Sequence, residues 1–550
     1  MPTLHWIGKE KVVNHHQEVP FRVLEHKYGF RAEDEENKTE TQSGNKIIHG
    51  DNLEALKALL PEYEGKIKCI YIDPPYNTGN EKWVYNDNVN DPKIKKWLGE
   101  VVGKQGEDLS RHDKWLCMMY PRLKLLHKLL ADNGVIFISI DDIEHANLKF
   151  ICNEVFGEKN FLAEFAWKTD GNFDNQARIK ICHEYILCYL KNTNNVGLPN
   201  GVDPSIPQTS KIFKSSIRNT VVKNGAKNPM SEIVLPVGFP CAVKDMIIKA
   251  RQDIFPYYYS DAIIKNYKLT NEIVVKSGWS SKDILLSFIK NDFVPVSDTK
   301  NQETIFEITA TGAIEMIKKR EKISHVISVL SGFGSTQNMS IELLKMDINF
   351  DFPKPTKLIE YLLDFYSSND SIILDSFAGT GTTAHAVLNL NNKDSGNRKF
   401  ILIEMEDYAE TITAERVRRV AKGYADVAGT GGEFDFYELG MPIFKEDKNL
   451  NEEVSEDDIR EYIYYTETKQ HLERERKEDS KYLLDTYNDT GYYFYYEKEQ
   501  VTTLSWDTLN IVTERAEQYV IYADICIIDE NDLAAKNIVF KKIPRDIKRF

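Results

Sequence analysis

Asp73-Pro74-Pro75-Tyr76 closes the apolar run Cys69-Ile70-Tyr71-Ile72. Two successive prolines fix φ twice and remove two N–H donors, so the main chain is rigid there and offers carbonyls without competing donors. An acid before the prolines and an aromatic after them complete a small clamp. One carboxylate oxygen and one carbonyl can accept both hydrogens of an exocyclic amino group, while the Tyr76 ring stacks on the flat base that carries it. The plain alternative is a proline-stiffened turn with a surface acid. Its position at the end of an apolar strand favours the clamp.

A second group, Phe377-Ala378-Gly379-Thr380-Gly381-Thr382-Thr383, follows Ile372-Ile373-Leu374-Asp375 and precedes the helix-like stretch TTAHAVLNL. Its glycines let the backbone turn tightly and approach a ligand, and the following helix start presents free N–H groups and a positive dipole end. Glu404 ends the next strand-like run, 23 residues after Gly381. A carboxylate at that distance can accept hydrogen bonds from ribose hydroxyls, so a nucleoside-type ligand is expected. The loop alone does not separate a dinucleotide from S-adenosylmethionine, because Gly379, Gly381 and Ala384 also satisfy the GxGxxA variant of the dinucleotide fingerprint.

Positioning these groups requires a sheet. Ile70 to Asp73, Ile136 to Asp141, Ile372 to Asp375 and Phe400 to Glu404 are all apolar runs ending in acids. That is the texture of buried parallel strands with ligands at their carboxyl ends. Between the first two, Leu116, Met119, Leu123, Leu126 and Leu130 recur at helical steps, with Pro121 predicting a kink or break. One doubly wound α/β sheet built from both blocks is expected. Residues 31–45 read as a linker, and 190–345 as an inserted domain or long binding loops. Residues 451–485 read as a charged helical region with Ile459, Tyr462 and Ile463 as a thin apolar stripe, followed by strands in GYYFYYEKEQV and YVIYADICII.

Composition is that of an ordinary folded protein, with 42% hydrophobic and 28% charged residues in 550, so global disorder is excluded. No apolar run approaches the ~18 residues of a membrane span, and the start MPTLHWIGKEKVV has no signal-peptide core, so a cytoplasmic location is expected. The seven cysteines (69, 117, 152, 182, 188, 241 and 526) form no CxxC pair, which predicts reduced, mostly buried thiols. The net charge of −15 is unevenly spread: residues 201–325 carry 18 basic against 13 acidic side chains, and 433–499 carry 9 against 20. The middle of the chain can therefore face an anion while the C-terminal region faces water or protein.

Together these residues resemble the amino-methyltransferases of DNA, which carry DPPY in adenine-N6 enzymes, commonly SPPY in cytosine-N4 enzymes, and an FxGxG loop. The DPPY-first order, with the variable region between the motifs, resembles the β group, a circular permutation of the same sheet. The likeness runs over about residues 45–425 and extends to Gly50-Asp51-Asn52-Leu53, Ser139-Ile140-Asp141-Asp142, His183-Glu184-Tyr185-Ile186-Leu187 and Pro353-Lys354-Pro355. IDPPYNTGNEKWVYND, SIDDIEHANL and VFGEKNF look most like the modification subunits of type III restriction–modification systems.

The resemblance implies a circularly permuted Rossmann-like methyltransferase sheet with an inserted target-recognition region and a C-terminal α+β region. It places an N-terminal extension and linker at 1–45, the DPPY half at 46–190, target recognition at 191–345, the FAGTG half at 346–430 and an acidic dimer or partner interface at 431–550. It implies S-adenosylmethionine as cofactor, with Glu404 on the ribose and Asp51 on the adenine. The backbone at Phe377, Ala378, Gly379 and Gly381, together with Thr382, lines the cofactor, and Lys354, Pro355 and Thr356 close over its methionine end. Asp375 is expected to order the loop more than to touch cofactor. Asp73, Pro74, Pro75 and Tyr76 carry catalysis on a flipped adenine in duplex DNA, with Trp83 and Tyr85 as core aromatics or supports for the base. Lys211, Lys214, Arg218, Lys223 and Lys227 suit phosphate contacts that position the duplex without reading it. A homodimer and a helicase–nuclease restriction subunit are the implied protein partners. No metal site is expected, and His183 is read as structural. A solitary adenine methyltransferase and a non-catalytic DNA-reading subunit remain alternatives. A nicotinamide oxidoreductase gives DPPY no role, and protein-glutamine methylation calls for Asn at position 73.

Overall fold

The computed structural model describes residues 3–34, 38–78, 111–169, 178–207, 209–298, 301–319, 323–473 and 478–545. Two compact units are present: residues 1–203 together with 326–550, and residues 204–325.

The larger unit is built on ten strands. In chain order they are β1 (Arg22–Arg31), β2 (Lys46–His49), β3 (Ile67–Ile72), β4 (Leu130–Ile140), β5 (Phe161–Lys168), β6 (His183–Leu190), β7 (Val329–Leu330), β8 (Ile372–Asp375), β9 (Lys399–Glu404) and β10 (Glu433–Pro442). Their order across the sheet is β1-β10-β2-β9-β8-β3-β4-β6-β5-β7. The six strands from β10 to β4 are mutually parallel, while β1 runs antiparallel to β10 and β6 antiparallel to both β4 and β5. From β8 the chain moves to one side of the sheet and from β3 to the other. The strand order therefore reverses between these two neighbours, which is where open α/β sheets bind ligands.

Both faces of the sheet are covered, as near-continuous apolar strands require. Ile70, Ile72, Ile136, Ile138, Ile401 and Ile403 face one core, which receives helix α1 (Asn52–Ala58) and helix α2 (Arg111–Leu129). Cys69, Tyr71, Val135, Phe137, Phe400 and Leu402 alternate to the other, which receives α3 (Thr356–Asp364), α4 (Thr382–Asp394) and α5 (Glu415–Lys422). The predicted break at Pro121 does not occur. Helix α2 runs through it, and Arg122 supplies a side-chain donor to the Met118 carbonyl at 2.8 Å, inside the turn that the proline disturbs.

The terminal segments enlarge the sheet. β1 and β10 lie outside the two motif-bearing blocks, yet they pair along their length and β10 continues the parallel set. The linker at 38–45 has no regular structure but is pinned: buried Asp435 accepts from the Thr41 N–H at 2.9 Å and the Thr41 hydroxyl at 2.7 Å. Beyond β10, helix α6 (Glu456–Thr468) is capped by Ser455 and buries Ile459 and Ile463. It is shorter than the charged region that suggested it. Strands 483–487, 490–494, 518–523 and 538–542 form a separate four-stranded sheet that buries Tyr493 and contributes Phe494 to the adjoining core.

The smaller unit is narrower than the 191–345 block expected from sequence texture. It has its own core, including Val221, Leu235, Phe239, Tyr258, Phe306 and Ile314, held by short antiparallel strands and one helix at 282–290. All seven cysteines are free and five are buried. Among the described residues no helix is long and apolar enough to cross a membrane.

Leu126 is fully buried where α2 packs on the sheet. Leu126→Ala should destabilise the larger unit by about 2–5 kcal/mol, seen as a lowered Tm.

Candidate active site

β3 delivers Asp73 and Tyr76 to the carboxyl edge of the sheet, beside the end of β8, with Ile70 paired to Leu374. Asp73 and Tyr76 are both 8% exposed. The Tyr76 hydroxyl lies 2.9 Å from Asp73 Oδ1 and 2.9 Å from Glu184 Oε2 on β6. Burial, then the charges of Asp73 and Glu184, push the Tyr76 phenol well above its usual range, so it stays protonated and donates. The Pro75 carbonyl accepts from the Trp115 indole at 2.6 Å, which fixes the rigid turn against α2.

The resemblance places Lys354 over the methionine end of the cofactor; in the structure its ammonium reaches the clamp. Nζ is 2.9 and 2.8 Å from the two Asp73 carboxylate oxygens, 2.8 Å from the Tyr76 hydroxyl and 3.2 Å from Glu184 Oε2. It also lies 4.9 Å from the centre of the Tyr76 ring. Burial alone would pull this lysine down; the carboxylates of Asp73 and Glu184 more than offset that and hold it above the ordinary lysine range. Its neighbour Pro355 caps α3.

A buried acid outside the motif holds the exit from the clamp. Glu144 is fully buried and accepts from Asn77 at 2.5 Å, from Asn147 at 2.8 Å and from His112 at 2.7 Å. Asn77 has a φ of +59°, a left-handed conformation that the Glu144 contact secures just after Tyr76. Glu184 and Glu144 were both absent from the residues picked out by spacing. Each stands in a stretch that resembles the family, HEYIL and SIDDIEHANL; for Glu184 an acid at the head of an apolar run was the available signal, and Glu144 had none among its polar neighbours.

The glycine loop is ordered by two acids. Asp375 accepts from the Phe377 N–H at 3.0 Å and the Thr383 hydroxyl at 2.5 Å. Glu404 accepts from the Gly379 N–H at 2.7 Å on one oxygen and the Glu406 N–H at 3.1 Å on the other. Burial raises Asp375 to about 7 and Glu404 to about 8, against the opposing effect of these hydrogen bonds. Gly379 and Gly381 have φ of +52° and +80°, and a Cβ at Gly381 would stand 3.1 Å from the Thr413 carbonyl. Ala378 N–H donates to the Ile403 carbonyl, which stitches the loop to β9. Thr382, the first residue of α4, accepts from buried Arg416 at 2.8 Å, and Arg416 also reaches Thr380 at 2.5 Å and Thr356 at 3.1 Å.

β2 adds Asp51. His49 pairs with Glu404, and the Gly50 N–H donates to the Glu404 carbonyl at 3.0 Å, so these two acids leave adjacent strand ends. Asp51 Oδ1 caps α1 through the Leu53 and Glu54 N–H groups, while Oδ2 lies 3.5 Å from Arg122. Arg122 also binds Asn52, whose amide donates to the Ser376 carbonyl at 3.1 Å. Asp51, Gly50 and Arg122 line a cavity of about 710 Å³ that extends to His15, Arg22 and Asp407.

Residues 67–415, well over half of the chain, match a family model described as DNA methylase. The chain belongs to the DNA methylase family. The methylase is 33% identical over 429 residues to the type III restriction–modification enzyme EcoPI Mod subunit of Escherichia phage P1, covering 74% of this chain and 64% of that subunit. To the EcoP15I Mod subunit of Escherichia coli it is 29% identical over 482 residues, covering 80% and 72%. The type II methyltransferase M.KpnI of Klebsiella pneumoniae is 30% identical over 387 residues, covering 68% of the methylase and 84% of M.KpnI. The methylase thus spans less than two thirds of the EcoPI subunit.

The basic residues of the smaller unit follow one another along its surface. Lys211 opens a short 3-10 turn and Lys214 follows it, Arg218 lies on the strand 216–220, Lys223 precedes the turn at 225–228 and Lys227 lies within it. All five are exposed. Arg218 is engaged by Glu307 and by Glu315 on neighbouring strands, so its charge is already compensated. Trp83 and Tyr85 lie outside the described residues. His183 contacts the Tyr185 hydroxyl at 3.1 Å, and no metal-binding cluster occurs among the described residues.

Glu404 carries a pH signature. An acid whose folded pKa of about 8 exceeds its ordinary 4.5 is held protonated more strongly when folded. The ligand-free protein therefore loses stability as pH rises from about 4.5 to 8. Measured as Tm against pH, Glu404→Gln should gain on the wild type across that window, by on the order of a few kcal/mol in total.

Proposed function

We propose that this methylase is a sequence-specific DNA adenine-N6 methyltransferase using S-adenosylmethionine, and that it serves as the modification subunit of a type III restriction–modification system. It acts on duplex DNA, as a homodimer, beside a helicase–nuclease subunit. The observation that carries this reading is the Asp73 carboxylate seated beside Tyr76 at the strand end next to the glycine loop. An acid, rather than serine, at the head of the tetrapeptide supports adenine over cytosine, and the names of the type III Mod relatives support the modification-subunit reading.

The residues present fit S-adenosylmethionine. Each Glu404 oxygen accepts one backbone N–H and keeps lone-pair capacity for a ribose hydroxyl. The loop brings backbone within reach at Gly379 and Gly381, and Asp51 faces the adjoining cavity. When bound, the cofactor supplies an electrophilic methyl on a sulfonium.

The rest is done by the protein. The adenine amino group is a poor nucleophile because its lone pair is delocalised into the ring. Asp73 and the Pro74 carbonyl accept its hydrogens, favour pyramidalisation and aim the lone pair. Rate then comes from positioning and from preorganised groups rather than from a strong base. A base inside a duplex is out of reach, so the target flips out and Tyr76 supplies its stacking face. The exposed lysines of the smaller unit hold phosphates, and the ion-paired Arg218 contributes less.

A second reading, a solitary adenine methyltransferase, is favoured by one observation: the methylase covers more of the type II enzyme M.KpnI than of the EcoPI subunit. Co-purification with a large helicase–nuclease chain separates the two. For the chemistry itself, purified protein given labelled S-adenosylmethionine and unmethylated duplex DNA should form N6-methyladenine. Asp73→Ala should abolish transfer, at least 10²-fold by the scale of lost positioning, yet keep the cofactor-induced rise in Tm. Retained turnover in the variant contradicts the assignment.

A further inference from the structure

The target amine needs acceptors on Asp73, and both oxygens of that carboxylate are taken by Lys354. Its ammonium lies 2.9 and 2.8 Å from them and 2.8 Å from the Tyr76 hydroxyl, at the hydroxyl edge of the ring. A nitrogen with several hydrogens held by the carboxylate reproduces what an exocyclic amino group would present there.

We propose that Lys354 and Glu184 form a latch on the target-base pocket, in which the lysine ammonium occupies the place of the target amine on Asp73 until a base arrives and is then carried by Glu184. This rests on the reading of the clamp as the target-amine site. A neutral aromatic amine cannot displace a charge-assisted contact unless the departing ammonium keeps a carboxylate partner, since such contacts are about twice as strong as neutral ones. Glu184 is that partner: its Oε2 is already 3.2 Å from Nζ and 2.9 Å from the Tyr76 hydroxyl. The movement is confined to the side chain. Pro353 and Pro355 fix φ on either side of Lys354, so the backbone is stiff and only the four-carbon stem swings. Glu184 sits near the start of β6, paired with Trp167 of β5 and one residue before Tyr185, which pairs with Ile140 of β4, and is a fixed seat. The latch keeps a buried carboxylate neutralised when no base is bound, and only a group that replaces the donors on Asp73 opens it.

A double-mutant cycle on the full chain tests this, with methyl transfer to unmethylated plasmid DNA as the readout. Wild type, Glu184→Gln, Lys354→Met and the double variant are compared by kcat and by KM for DNA. Without its second seat the ammonium stays on Asp73, so Glu184→Gln should lower kcat/KM for DNA about tenfold or more, with cofactor affinity unchanged. Without the lysine there is nothing to relocate, so adding Glu184→Gln to Lys354→Met should change kcat/KM by less than about threefold. An equal loss from Glu184→Gln in both backgrounds overturns the latch, because Glu184 then acts independently of Lys354. Folding is checked by the shift of Tm on adding S-adenosylmethionine, and Lys354→Gln replaces Lys354→Met in the cycle if the latter does not fold. Absence of transfer by the wild type sinks the methyltransferase reading instead, whatever the variants do.

Discussion

Asp375 and Asp73 leave the sheet from neighbouring parallel strands, with Leu374 paired to Ile70 so that Asp73 stands two residues further along than Asp375, and the site depends on keeping that offset. Asp375 organises the glycine loop and Asp73 anchors the clamp, so on the proposed reading one side of the gap takes a nucleoside and the other an amine. The register between β8 and β3 sets that offset. The apolar residues alternating to both faces of these strands hold the register, because a slip of one residue would turn each buried side chain to the wrong layer.

Burial makes this edge electrostatically expensive, and the molecule handles its acids in two ways. Asp375 and Glu404 are buried without a cation, satisfied by backbone and hydroxyl donors, and both are shifted toward their neutral forms. Asp73 and Glu184 instead share Lys354. The first arrangement leaves acceptors available to hydroxyl-bearing ligands. The second seats one cation between two carboxylates, since a buried charge is tolerated only when paired and hydrogen-bonded.

Much of this was legible in the sequence because the informative features are local. A strand, a tight turn and a helix start fall within about a dozen residues, so the Asp73 turn, the glycine loop and Glu404 stood out by spacing, Asp51 came from the resemblance alone, and the strand-ending acids pointed to one sheet. The supporting groups could not, because they meet through pairing. Lys354 reaches Asp73 across 281 positions and Glu184 reaches Tyr76 across 108. Nothing near Lys354 in sequence distinguishes a cofactor contact from a clamp contact. Pro121 misled for a related reason: tertiary burial and the Arg122 side chain keep α2 continuous where local propensity alone predicts a break. The terminal strands β1 and β10 were missed because mixed polar residues obscure their alternation, and the inserted unit's limits were blurred by its short strands.

The central claim is that Asp73 grips the amino group of an adenine within a defined DNA sequence. Base-resolved mapping of methylation on DNA from cells expressing the chain, set against the same cells without it, tests that most directly. The account predicts N6-methyladenine at one short motif, on one strand of an asymmetric site if the type III reading holds. N4-methylcytosine at a motif, or no mark from protein that binds S-adenosylmethionine, would contradict it.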